Sequence, residues 1–130
     1  MLILVLEAST SSAKAMLYSQ KGVLKVESVN YPADISDVKT QDADAVFSLM
    51  MQVGRRVLDG QATPDFIVLS GAWHGVMALD SSYKPLTRVH SWPDRSASVL
   101  TKELSKDKPF SSRFYQETGC VVHSTYPLFK

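Results

Sequence analysis

From its first residues the chain alternates short apolar runs with small polar breaks. Leu2–Leu6 is continuously apolar, the pattern of a strand covered on both faces. A hydroxyl-rich break follows, Glu7-Ala8-Ser9-Thr10-Ser11-Ser12, and Ala13–Ser19 resumes as a second strand. Gln20-Lys21-Gly22 reads as a turn, with Gly22 free to take a positive φ. Val23–Tyr31 then alternates apolar and polar side chains, a third strand with one wetter face. Consecutive hairpins of this kind make an antiparallel meander.

Pro32 to Thr40 is a polar connector, and the period then changes. Val46, Phe47, Leu49, Met50, Val53, Val57 and Leu58 recur at helical spacing. Asp42 and Asp44 suit the first turn of that helix, Arg55 and Arg56 its last turns, and Gly60 its end. After Thr63-Pro64-Asp65, Phe66–Ser70 is another strand of the buried type. Gly71–Gly75 turns, Val76–Leu79 resumes as a strand, Asp80–Lys84 turns again, and Leu86–His90 is a last short strand. Pro93-Asp94 is expected to start a helix carrying Val99, Leu100 and Leu104, and Pro109 to end that region. Ser111–Thr118 reads as a short helix stopped by Gly119. A meander followed by a crossover helix into a buried strand predicts an α/β fold with a mixed sheet of the ribonuclease H kind.

Composition narrows the function classes. The chain has 130 residues, 45% hydrophobic and 21% charged, as a globular domain requires. The formal net charge is +1, so electrostatics give no case for nucleic acid or an anionic membrane as partner. Cys120 is the single cysteine and cannot form an internal disulfide, which suits a reducing, cytoplasmic setting. Met1–Ser9 is apolar but short, has no basic flank and meets Glu7 early, unlike a signal peptide or membrane span. No repeat or linker divides the chain.

Candidate chemistry falls in separate places. Glu7–Lys14 offers hydroxyls and free backbone N–H groups that can cradle a phosphate, and Glu7 could hold a magnesium ion through water. An ordinary Ser/Thr turn has the same composition, and the P-loop pattern G-x-x-x-x-G-K-S/T is missing. Ser70-Gly71-Ala72-Trp73-His74-Gly75 turns sharply beyond a strand end, where ligands sit in α/β proteins. Trp73 can stack on the C–H face of a sugar and His74 can hydrogen-bond a hydroxyl, although a packed tryptophan beside a satisfied histidine reads the same way. Ser70 with His74 lacks the G-x-S-x-G elbow of a serine hydrolase. Asp94 could accept from sugar hydroxyls and Arg95 brace the site, or both could serve a helix start. His123 and Cys120 fit no zinc spacing, which leaves Cys120 as a small core residue.

Taken in order, these places resemble the N-terminal part of the FGGY family of carbohydrate kinases, especially its gluconate and xylulose kinase branch. That family opens on a strand and D-x-G-T-S/T-S/T-x-K, where this chain has Glu7-Ala8-Ser9-Thr10-Ser11-Ser12-Ala13-Lys14. Its S-G-Q-M-H-G is matched by Ser70-Gly71-Ala72-Trp73-His74-Gly75, and its L-D-x-x-x-x-P-L by Leu79-Asp80 and Pro85-Leu86. A W-x-D-x-R-like box is met, with compressed spacing, by Trp92, Asp94 and Arg95. T-G-x-x-x-H-x-x-Y-x-x-x-K is met by Thr118, Gly119, His123, Tyr126 and Lys130. Glu7 stands where the family has aspartate, Ser9 where it has glycine, and Ala72-Trp73 where it has Gln-Met.

The resemblance implies a ribonuclease H-like, actin-like ATPase fold and ATP-dependent phosphoryl transfer to a sugar or sugar acid, with ATP and Mg²⁺ as cofactors. Thr10, Ser11, Ser12 and Lys14 would line the phosphate loop, with Glu7 near the metal. Trp73, His74, Asp94 and Thr125 would face the sugar. Both bends, after the first strand and after the central strand, should open onto one cleft. Residues 1–130 would form a single, partial N-terminal domain, with the family's base aspartate beyond Lys130 and no turnover by these residues alone. A sheet left incomplete would self-associate through its edge. The competing class is a non-catalytic sugar-binding or assembly module.

Overall fold

The computed structural model describes residues 1–130. Strands β1 (Leu2–Ala8), β2 (Ser12–Ser19) and β3 (Gly22–Asn30) form the expected meander, with Gly22 at φ 108° in the tight turn. A short strand β4 (Thr40–Gln41) leads into helix α1 (Ala43–Leu58), which crosses over to β5 (Phe66–Gly71). β5 pairs parallel with β1, Leu4 opposite Ile67 and Glu7 opposite Ser70, so the sheet order is β3-β2-β1-β5. Asp42 caps α1, its carboxylate accepting from the Ala45 N–H at 2.9 Å.

The core lies between this sheet and α1. Alternation sends Leu4 and Leu6 of β1 and Ala13, Ala15 and Leu17 of β2 to one face, where they meet Val53 and Val57 of the helix. The small residues let α1 come close: a Cβ on Gly54 would stand 2.9 Å from Leu6 Cδ2. Burial of β1 is one-sided, because Ile3, Val5 and Glu7 on the other face are only half-buried. β5 departs further from its sequence pattern. All six of its residues are exposed, since no helix of the chain packs on either side of it.

Other differences lie downstream. Val76–Leu79 is not a strand, and of Leu86–His90 only the last two residues are. They meet through single bridges, Val76 with His90 and Leu79 with Pro85, and only β6 (Val89–His90) pairs as a ladder, antiparallel to β4. The Asp80 carboxylate takes the N–H groups of Ser82 and Lys84, and the Thr87 hydroxyl takes that of Ala78, so side chains close this hairpin. Helix α2 spans Ser98–Lys106, starting later than Pro93-Asp94. Pro109 does not end that region but opens α3 (Lys108–Thr118), behind the cap Asp107. Gly119 stops α3 at φ 70°, as its position suggests. Cys120 is half-buried, outside the core. No helix is long and apolar enough to cross a membrane.

Candidate functional site

Both bends leave the same end of the sheet. β1 and β5 run parallel, so their last residues, Ala8 and Gly71, are register partners, and the Ala72 N–H donates to the Ala8 carbonyl at 3.0 Å. The chain therefore delivers Ser9–Ser11 and Ala72–Gly75 side by side, at the carboxyl ends of adjacent parallel strands.

The first bend is fastened from beneath. Ser9 folds back, its N–H and hydroxyl both donating to the Ser12 carbonyl at 3.0 and 2.9 Å. Buried Gln41 donates its amide to the carbonyls of Thr10 (2.9 Å) and Ser9 (3.3 Å), and the Ser36 hydroxyl reaches Thr10 as well. What remains open is the amide edge: the backbone N–H groups of Thr10 and Ser11 make no hydrogen bond within the chain. The side chains expected to line this loop divide. Thr10 and Ser11 border a hollow of about 570 Å³ with Tyr31, Ser36 and Asp37. Ser12 is buried, its hydroxyl 3.1 Å from that of Ser9. Lys14 pairs across the hairpin with Glu7 at 3.3 Å.

Glu7 is the one carboxylate on the bend's own residues, Asp37 across the hollow being spent on the N–H groups of Lys39 and Thr40, and no group of three histidine, cysteine or acidic side chains gathers anywhere in the chain. A lone carboxylate already paired with an ammonium does not make a site for Mg²⁺. The hydroxyl of Tyr31 is buried beside this hollow without a partner, and burial first, then the Glu7 charge, push its pKa up to about 12.

The second bend is held differently. His74 has φ 58°, a left-handed conformation rare for a residue with a Cβ. Its ring stacks on Trp73 at 4.7 Å and tilts against Tyr126 at 5.0 Å. The Lys130 ammonium clips the turn in place, donating to the carbonyls of His74 (3.2 Å) and Ser91 (2.7 Å). Burial lowers the Lys130 pKa, and the nearby Asp94 charge works against that shift. Trp73 is largely exposed, with one face free for a ligand.

Asp94 has a different environment from the one its motif suggests. It is 2% exposed, and its carboxylate accepts from the Ser96 N–H (2.9 Å) and hydroxyl (3.0 Å) and meets His90 Nδ1 at 2.8 Å. Burial by itself would raise its pKa, but these hydrogen bonds and the His90 charge outweigh it and hold the carboxyl below its ordinary value. Asp94 therefore braces the turn after β6 instead of standing open to a sugar. Thr125 likewise directs its hydroxyl to His123 Nδ1, at 2.8 Å.

Trp92 joins the two bends, a role the sequence reading missed. Its indole N–H donates to the Thr10 hydroxyl at 3.1 Å. Its neighbour Ser91 accepts from Lys130, which holds His74. The only sequence signal was a tryptophan whose N–H needs a partner. The hollow beside Thr10 is not lined by Trp73 or His74, so the bends are neighbours at one end of the sheet without a shared enclosed cleft.

A meander, a crossover helix and a parallel strand with ligand-side loops at the shared carboxyl ends define the ribonuclease H-like, actin-like ATPase fold. The chain aligns with the xylulose kinase of Lactobacillus acidophilus at a TM-score of 0.86, with 20% identity, over 98% of this chain and 27% of that one. The gluconate kinase of the same organism gives 0.84, also at 20% identity, over 99% of this chain and 27% of the other. In sequence it is 32% identical to the gluconokinase of Bacillus licheniformis over 98% of its length. Residues 2–130 match the N-terminal domain of the FGGY family of carbohydrate kinases, and the chain belongs to that family. It spans about a quarter (26%) of the length of the gluconokinases it matches.

Proposed function

We propose that these residues are the N-terminal part of a carbohydrate kinase that phosphorylates a sugar or sugar acid, gluconate before xylulose. The observation that carries this reading is the linkage of the two bends, Thr10 to Trp92 and Ser91 through Lys130 to His74, at one end of the sheet. The free amides of Thr10 and Ser11 suit a phosphate group of ATP, with Lys14 as the neighbouring cation. The open face of Trp73 suits the apolar face of a sugar. Asp94 and Thr125 act behind that face, holding the turns that present it. Glu7 would approach a metal only through groups that residues 1–130 do not supply.

Among these residues no carboxylate stands free as a base at the Trp73–His74 turn, Asp94 being spent on His90 and Ser96. The 130-residue chain is therefore expected to bind gluconate weakly and to turn nothing over. Calorimetry with gluconate, xylulose and ATP, beside a coupled phosphorylation assay, tests this. Turnover by the purified chain would overturn the inactivity, and binding of neither sugar would overturn the placement of the sugar side.

The exposed apolar side chains of β5, Phe66 to Leu69, favour a second component of the reading: association with another copy through the unpaired edge. Light scattering should show dimers or larger species, and a monodisperse monomer would remove this component. Sugar binding without ATP binding would favour a non-catalytic module over a kinase part.

A further inference from the structure

Another polar hollow, of about 210 Å³, shares no lining residue with either bend. One wall is the face of α2 that carries Thr101, Lys102 and Ser105; the other is Val122–Ser124, and Arg95 closes it. That volume is below the ~300–1,000 Å³ of a drug-sized pocket, so it fits a small ion or one terminal group of a ligand.

The donor accounting is one-sided. No carboxylate lines the hollow, and Arg95 and Lys102 have no acidic partner within ion-pair distance. The hydroxyls of Ser98, Thr101 and Ser105 are spent, donating to the carbonyls of Arg95, Ala97 and Lys102. Ser124 is not. It is only 6% exposed, it lines the hollow, and its hydroxyl has no partner in the chain. The hydroxyl itself opens to the hollow, so a ligand there can use it as a donor. His123 adds a further donor. Its Nδ1 accepts from the Thr125 N–H at 3.3 Å, which puts the proton of the neutral ring on Nε2, where no group of the chain receives it.

We propose that Arg95, Lys102, His123 and Ser124 form a binding site for a tetrahedral oxyanion, either inorganic phosphate or the phosphate end of a small molecule. Unspent donors converging without an acidic neighbour are the reverse of a cation site, and a guanidinium forks onto two oxygens of such an anion. The site is separate from the Thr10–Lys14 bend, so it stands or falls independently of the kinase reading.

The test is an NMR amide titration of the 130-residue chain with inorganic phosphate at low ionic strength. Saturable shifts should centre on Lys102 and Ser124. Arg95→Gln and Lys102→Met, both at exposed positions, should each weaken binding about tenfold, and Ser124→Ala should weaken it several-fold. Lys14→Met should leave this titration unchanged, which separates it from any phosphate at the first bend. A parallel titration with glucose 6-phosphate identifies the source: tighter binding than inorganic phosphate assigns the site to a phosphate monoester, and weaker binding to the free ion. The proposal is overturned by shifts confined to Ser9–Lys14, by no saturation, by unchanged binding in both cation variants, or by gluconate binding there as tightly as phosphate.

Discussion

β2 and β5 lie on either side of the same central strand, and the one with the more apolar run is the less covered. Leu17 of β2 is 0% exposed, while Leu69 of β5 is 70% exposed. β2 faces α1 across the sheet; β5 has its partner β1 on one edge and no layer over either face. An apolar run therefore records that a strand is meant to be covered, without saying what covers it. The stability of residues 1–130 should accordingly concentrate in β1, β2 and α1.

The sharpest way to break this contrast is a paired truncation. Leu17→Ala should destabilise by about 2–5 kcal/mol, and Leu69→Ala by less than about 0.5 kcal/mol, in urea unfolding followed by circular dichroism. A large loss at Leu69 that grows with protein concentration would show β5 covered by a second copy. Gly54→Val probes the close approach of α1 to Leu6 and should cost about 1–3 kcal/mol by overpacking. An equally bulky change at Gly71, whose Cβ would meet nothing within 4 Å, should cost far less in the same assay.

A smaller effect separates the two bends. Gln41→Ala leaves the Thr10 and Ser9 carbonyls without their amide donor and should cost about 1–2 kcal/mol. Hydrogen exchange should then quicken at the Ser9 and Ser12 amides before it does around Trp73. The smallest effect is confined to acid. The folded-state pKa of Asp94 is depressed, so its contribution is complete above the ordinary carboxyl value of 3.8 and is lost as pH falls through the lower folded value. The Asp94→Asn chain should lose less stability than the parent on going from pH 5 to about pH 2, in unfolding curves taken across that range. Identical acid profiles would mean that the His90 and Ser96 contacts do not favour the charged carboxylate.

Local patterns carried the sheet and α1, because period and caps are properties of neighbouring residues. The meander, the Gly22 turn, the acidic start of α1 and the Gly119 stop were all legible for that reason. The misread elements share a cause. Asp94 directly follows Pro93 and Asp107 precedes Pro109 by two residues, so each lies next to a helix start as far as local sequence goes. Asp107 takes the Phe110 N–H and caps α3, whereas Asp94 is captured by His90 and Ser96 and bends the chain into a turn, delaying α2 to Ser98. Competition of that kind is decided by a tertiary partner. The linkage of the bends was hidden for the same reason: Trp92 and Thr10 are 82 positions apart.

The chain has only two tryptophans, and each reports on a different bend. Trp73 lies in water against an imidazole, and Trp92 is tethered through its indole N–H to Thr10. Their emission should differ in colour, the solvated ring to the red of the tethered one. The protein thus carries a built-in, two-channel optical gauge, able to tell which bend a small molecule has reached without any attached dye.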